Sequence, residues 1–338
     1  MTFCYLIMTH QNPAQIARLV RTILAGSPDG WVLMLHDRRG CALEGIEALA
    51  DPRVQVLTSP VDVHRGDFSM VAAYLHALQW LRSSERRWDW LIHLSGQCYP
   101  LRPLRQVEEL RASAPFDAYL HHWQVGGPDD RWRKHQGRIR YYYRFRAVPR
   151  WAAPLLRAVK WTHSLQDTWR VFTTYAPWLG RRVVSPPFGP SLRLYGGSQW
   201  ADLSRRCVEH ILDFCERQRH VMEHFRHSAV PDESVVPTIL ANAGTFRISN
   251  DNRRYIDWRE CIDGRPRTLT SADLPELGAS DADFARKFDA RVDAAVLDAL
   301  DARIASLAGT GTGTGTGTGI GGGGGGAAHA HAGERALA

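Results

Sequence analysis

Trp88-Asp-Trp-Leu-Ile-His-Leu-Ser-Gly-Gln-Cys-Tyr-Pro-Leu101 reads as a strand, Trp88–Leu94, that stops abruptly at Ser95-Gly-Gln-Cys98. Upstream of it, strands and helices alternate. Phe3–Met8, Trp31–Leu35 and Val54–Leu57 are apolar runs of strand length. Between them, Pro13–Leu24 places Ile16, Leu19, Val20, Ile23 and Leu24 at helical spacing, and Leu43–Ala50 reads as a short helix. Phe68–Arg82 is a long amphipathic helix carrying Met70, Ala73, Leu75, Leu78 and Leu81. This alternation predicts an α/β fold with a doubly wound, mostly parallel central sheet. Such sheets bind ligands beyond the carboxyl ends of their strands, which here means Thr9 and His10, Asp37, and Ser95–Cys98.

Downstream, Pro103–Leu110 is a helix, and the pattern then loosens into a basic, aromatic block expected to form loops and short helices around the cleft. In Leu194-Tyr-Gly-Gly-Ser-Gln-Trp200, Gly196-Gly197 indicates close backbone approach. A helix is expected from Ala201 to about Phe225, and a C-terminal one over Phe284–Leu307, with Phe288, Val292, Val296, Leu300 and Ile304 on its apolar face. The Gly/Thr repeats beyond it cannot pack a core, so residues 308–338 are expected to be disordered.

With 338 residues, 44% of them hydrophobic, the chain can bury a large core. Its twelve Trp suit a cleft for flat or ring-shaped ligands such as sugars and bases. Met1–Met8 is too short for a signal peptide or a membrane span and lacks a basic flank, and no other segment approaches transmembrane length. The six cysteines form no CxxC pair and no zinc spacing. A reduced, cytoplasmic protein without a metal site is therefore expected. The net charge of +7 is uneven: from Arg131 to Arg182, thirteen Lys and Arg meet one acid, Asp167, so this segment carries +12 and the rest −5. Interleaved Trp and Tyr suit it to peripheral contact with an anionic membrane through residues 131–182. An RNA surface shares that composition, but no nucleic-acid module is recognisable, and no nucleic-acid partner is expected.

Ser228-Ala-Val-Pro-Asp-Glu-Ser-Val-Val-Pro-Thr-Ile-Leu240 sets Asp232-Glu233 between a polar helix and a new apolar run. A carboxylate held by a Pro-initiated turn and partly desolvated by apolar neighbours is placed to act as a general base. The same pattern also serves as an ordinary helix start, where two acids complement the dipole.

Six segments in this order resemble the core-2/I-branching glycosyltransferase family, glycosyltransferase family 14, which includes β-1,6-N-acetylglucosaminyltransferases and peptide O-xylosyltransferases. They are Tyr5-Leu-Ile-Met-Thr-His10, Phe68-Ser-Met-Val-Ala-Ala73, His93-Leu-Ser-Gly-Gln-Cys-Tyr-Pro-Leu101, Tyr195-Gly-Gly-Ser-Gln-Trp200, Pro231-Asp-Glu233 and Phe284-Ala-Arg-Lys-Phe-Asp289. The resemblance implies a GT-A-like (Rossmann-like) fold, with a catalytic domain over residues 1–307: a nucleotide-sugar half, 1–100, and an acceptor and diphosphate half, 101–307. It implies a UDP-sugar donor, GlcNAc or a related sugar, and inversion at the anomeric carbon with no metal or other cofactor. The acceptor would be a hydroxyl of a glycan, lipid-linked or protein substrate. Glu233 matches the family's catalytic base, and Lys287 a lysine on the donor diphosphate, assisted by Arg265 or Arg267. Thr9, His10, Asp37, Gln97 and Cys98 would face the donor; Ser198, Trp200 and Asp232 would face the acceptor, with aromatics of the 132–178 block beside Trp200.

The chemistry is consistent with that implication. Departure of UDP develops negative charge that something cationic must stabilise. The strand end where many sugar-nucleotide transferases carry an Asp-x-Asp metal motif reads Ser95-Gly-Gln-Cys-Tyr99 here, without an acid. The chain departs from the family pattern at Cys98, where an Asp is common, and at Arg65, where a Trp is frequent before the glycine. A xylosyltransferase, or a non-catalytic protein retaining the glycan or nucleotide site, is the alternative reading.

Overall fold

The computed structural model describes residues 1–132, 136–259, 261 and 264–310. The expected alternation is present in its first hundred residues: β1 (Phe3–Thr9), α1 (Pro13–Gly26), β2 (Trp31–His36), β3 (Val54–Thr58), α2 (Phe68–Ser83) and β4 (Trp90–Ser95). Local chemistry starts both helices. Pro13 opens α1 behind the Asn12 cap, and the Asp67 side chain accepts from Ser69 N to cap α2. Leu43–Ala50 contracts to a 3-10 turn over Glu47–Ala50, in which nothing is buried.

The later elements are β5 (Cys98–Pro100), α3 (Leu104–Ser113), β6 (Ala118–Gln124), α4 (Gln136–Tyr141), β7 (Tyr143–Ala147), α5 (Ala153–Ala158), β8 (Trp169–Phe172), β9 (Trp178–Arg182), β10 (Tyr195–Ser204), α6 (Arg205–Arg217), α7 (Arg219–Arg226) and α8 (Val235–Ala243). They are followed by β11 (Ile248–Ser249), β12 (Arg254–Ile256), α9 (Leu274–Ala279), β13 (Phe284–Arg286) and α10 (Ala295–Thr310). The seven-stranded sheet runs β11-β6-β10-β4-β1-β2-β3. Its β3-β2-β1-β4 half is parallel, and β10 lies antiparallel between β4 and β6. The connections reverse direction at β1 and β4, which opens a crevice at their carboxyl ends.

Alternation along β1 divides the core into two layers. Cys4 and Leu6 pack with α2, α6 and α8 on one face; Phe3, Tyr5 and Ile7 pack with α1, α3 and α10 on the other. Two smaller sheets flank this one: β12-β13-β5, and an antiparallel β7-β9-β8 built from the basic block.

Three expectations need correction. Ala201–Ser204 are strand, not helix. Ala201 and Leu203 enter the core, while the buried Asp202 carboxylate accepts from Arg111 at 2.5 Å and from Arg254. The helix begins at Arg205 and breaks at Gln218. At the C-terminal end, Phe284–Arg286 form β13, because both flanks find partners in β12 and β5; helix resumes only at Ala295. The basic block supplies a sheet as well as short helices, with Phe145, Phe172 and Trp178 packed on one another. Arg133 and Lys134 of that block, and the Gly/Thr tail from residue 311, lie outside the described residues. No helix among the described residues is long and apolar enough to cross a membrane.

Candidate active site

A cavity of about 860 Å³ opens at the carboxyl ends of β1, β2 and β4. Its lining includes Thr9 and His10 at the end of β1, Asp37 after β2, and Ser95, Gly96 and Gln97 at the end of β4. Neighbouring strand ends are locked together: Thr9 Oγ1 meets His36 Nδ1 at 2.8 Å, and His36 Nε2 lies 2.9 Å from the Cys41 carbonyl. Asp37 accepts from the Arg39 backbone at 3.1 Å. Burial lowers the proton affinity of His10, against the opposing pull of Asp37.

The wall comes from an irregularity in β10. Its ladder with β6 shifts register between Gly197 and Ala201, so Ser198, Gln199 and Trp200 leave the pairing and line the cavity. Gly197 makes this possible, since a Cβ there would lie 2.1 Å from the His121 carbonyl oxygen. Ser198 Oγ accepts from Asn252 at 3.0 Å and from Trp200 N at 3.2 Å.

Asp232 and Glu233 stand on a 3-10 turn, Pro231–Glu233, between α7 and α8. Val230, which precedes it, holds a left-handed φ of 55°, a strained conformation for a β-branched residue. Long-range bonds impose it: Val230 N donates to Gly66 O at 2.8 Å, and Tyr141 Oη donates to Val230 O at 2.6 Å. Glu233 accepts from the buried Arg140 at 2.6 Å, and the Arg140 guanidinium lies 4.8 Å from the Trp132 ring. Asp232 is half-buried and also faces the cavity, yet its Oδ1 is sealed without a hydrogen-bond partner. Burial, then repulsion from Glu233, pushes its carboxyl up to about 7.

The same cavity is lined by a cationic group, Arg65, Arg265, Arg286 and Lys287. Lys287 follows β13 directly and is not a helix-start residue; burial, then Arg265, Arg286 and Arg65, lower its proton affinity. The Gln97 carbonyl accepts from Phe288 N at 2.9 Å, which ties this segment to the β4 end. The structure separates the two candidate arginines. Arg265 lines the cavity, whereas Arg267 is occupied by Asp257 and Asp273, each at 2.5 Å, and lies outside it. Cys98 is also outside the cavity: it is buried in β5, with its Sγ accepting from Ser95 N at 3.3 Å. Of the aromatics in the 132–178 block, Trp132 and Tyr175 line the cavity; Trp151 and Trp161 face solvent. No group of three or more His, Cys, Asp or Glu placed to hold a metal ion occurs among the described residues.

Sequence reasoning missed Arg140, Arg65 and Arg286. Arg140 is 93 residues from its carboxylate, in a run of basic residues that look alike. Arg65 stood at a departure from the family pattern, and Arg286 lay beside Lys287 in a quoted segment.

The family model described as Branch: Core-2/I-Branching enzyme matches residues 3–281. Among curated proteins, the chain is similar to Beta-glucuronosyltransferase GlcAT14A of Arabidopsis thaliana, 29% identical over 237 residues, 69% of this chain and 46% of that protein. It is similar to Xylosyltransferase oxt of Drosophila melanogaster, 22% identical over 269 residues, 73% of this chain and 27% of the relative. It also resembles Beta-1,3-galactosyl-O-glycosyl-glycoprotein beta-1,6-N-acetylglucosaminyltransferase 4 of Danio rerio, 29% identical over 113 residues, 32% and 26% of the two chains. The chain spans about half or less of the length of these relatives.

Proposed function

The chain belongs to the core-2/I-branching enzyme family, and on that premise we propose that it is an inverting, metal-independent glycosyltransferase of GT-A-like fold. It moves a sugar from a UDP donor to an acceptor hydroxyl. The observation that carries this reading is that one cavity is lined both by the carboxylates Asp232 and Glu233 and by the cations Lys287 and Arg265. Glu233 takes the proton of the acceptor hydroxyl as that oxygen attacks C1 of the donor sugar. The C1–O bond to the diphosphate breaks, and UDP leaves with the electron pair. Lys287 and Arg265 meet the charge that develops on the leaving group, the work a metal ion does in other transferases. Arg140 positions Glu233, and Trp200 and Trp132 line the cavity on the side proposed for the acceptor.

The acceptor is proposed to be a glycan or lipid-linked hydroxyl presented at an anionic surface. Supporting this, the segment 150–165 exposes Trp151, Leu155, Trp161 and Leu165, each at 63% or more, among Arg150, Arg157 and Lys160.

The test is UDP release from a panel of UDP-sugars, with and without EDTA, beside Glu233→Gln. EDTA-resistant release that falls by about a thousandfold in the variant is expected. Release that stops with EDTA would sink the metal-free mechanism, and an unimpaired variant would remove Glu233 from the base role.

A further inference from the structure

Beyond Arg286 the chain leaves β13 and runs as irregular backbone through Asp289, so the peptide groups around Lys287 have no strand ladder to bond to. Two of them are met by one side chain from the other end of the sequence. Gln15, in the first turn of α1, donates from Nε2 to Phe288 O at 3.0 Å and accepts at Oε1 from Ala290 N at 2.8 Å. A primary amide thus makes the pair of bonds that a residue on a neighbouring strand would make. The second Nε2 hydrogen goes to Gly96 O at 3.0 Å, and Asn12 Nδ2 donates to Oε1 at 3.1 Å. Every hydrogen-bonding position of this amide is used, and Gln15 is 2% exposed.

Gln15 does not line the cavity, but what it holds does. Gly96 stands at the end of β4, and Lys287 and Asp289 flank Phe288; all three face the cavity. Asn12 extends the tie by donating to Asp289 Oδ1 at 3.3 Å, from a left-handed φ of 62° at the head of α1. A lysine ammonium on its flexible four-carbon stem reaches a fixed point only if its backbone is fixed. The bonds of Gln15 span 81 residues to Gly96 and 275 to Ala290, and they converge on the backbone that presents Lys287. An apolar side chain in its place would leave two carbonyls and an N–H unpaired.

We propose that Gln15 is a positioning residue of the reaction: its amide fixes the backbone of Lys287–Asp289 against the β4 end and so delivers Lys287 to the donor diphosphate. The proposal rests on the reading of Lys287 as the diphosphate contact and deepens it. Uridine and UDP differ only in the diphosphate, so the ratio of their affinities isolates what Lys287 contributes.

The experiment is calorimetric binding of uridine and UDP to the full chain, to Gln15→Met, to Lys287→Ala and to the double variant. In Gln15→Met the preference for UDP over uridine should fall at least about tenfold, the worth of one charge-assisted hydrogen bond, while uridine affinity holds. Added to Lys287→Ala, the same substitution should lower the ratio no further, because it acts through that lysine. An unchanged ratio in Gln15→Met, a loss shared equally by uridine, or effects of the two substitutions that simply add would each overturn the proposal. If Gln15→Met does not fold, Asn12→Gly decides. It keeps the left-handed turn, removes the donor to Gln15 and Asp289, and should lower the ratio about threefold, the worth of a neutral hydrogen bond; an unchanged ratio there overturns the proposal as well. Failure of the unsubstituted protein to bind UDP removes the sugar-nucleotide reading itself, and UDP binding indifferent to Lys287→Ala removes that lysine from the diphosphate. A ratio that depends on Lys287 but not on Gln15 removes the positioning role alone.

Discussion

Replacing Arg140 by Met tests whether this arginine holds the carboxylate pair in place. The substitution keeps an unbranched stem against Trp132 but deletes the guanidinium that donates to Glu233 at 2.6 Å. Side-chain exposures of 7% for Arg140 and 21% for Glu233 place the pair in a medium intermediate between water and dry protein. Unit charges about 4 Å apart at an effective dielectric near 20 attract by about 4 kcal/mol. Glu233 keeps a cavity-facing side that water can reach, so the net loss is smaller, about 2–3 kcal/mol. Arg140 also draws the proton affinity of Asp232 down, so the deficit should be larger at pH 8 than at pH 5. The assay is urea unfolding of the unsubstituted protein, Arg140→Met, Glu233→Gln and the double variant at both pH values. A coupling of at least about 1 kcal/mol between the two sites is expected. Effects that simply add, within about 0.5 kcal/mol, would refute the argument. A positioning role further requires turnover to fall in Arg140→Met while donor affinity holds; a loss confined to affinity would contradict it.

Asp232 carries a pH signature of definite sign. Its folded-state pKa is raised, so between the ordinary aspartate range and about 7 the native state binds more protons than the unfolded chain, and stability falls as pH rises through that window. Asp232→Asn removes that slope. Its stability relative to the parent should therefore improve by about 2 kcal/mol between pH 5 and pH 8, whereas parallel pH profiles would show that Asp232 ionises freely. For the exposed segment 150–165, sedimentation with vesicles of anionic and zwitterionic lipid at low salt should pull down the chain only with the anionic ones. A Trp151→Ser/Trp161→Ser variant should lose about tenfold in that affinity, and indifference of the unsubstituted protein to both vesicles would end the membrane reading.

The parts legible in the sequence are those whose signal is local. The alternation of strands and helices through Ser95 emerges with ends shifted by a few residues, because burial in a doubly wound sheet imposes a period on each segment separately. Strand ends at Thr9, Asp37 and Gln97 follow from that pattern, and all three face the cavity. The segments carrying Glu233 and Lys287 are recognisable for the same reason: each is a short contiguous motif.

Tertiary structure alone decided what depends on partners distant in the chain. Ala201–Ser204 is strand because β4 and β6 lie on either side of it and two buried arginines satisfy Asp202. Arg265 and Arg267 are two residues apart and alike in sequence; only the position of Asp257 and Asp273 occupies one and leaves the other at the cavity. Arg140 finds Glu233, and Arg286 pairs across the ladder with Cys98, over separations that leave no local pattern. Hydrophobic periodicity registers whether a residue is buried, whereas the pairing of one buried charge with another is settled only when the chain closes on itself.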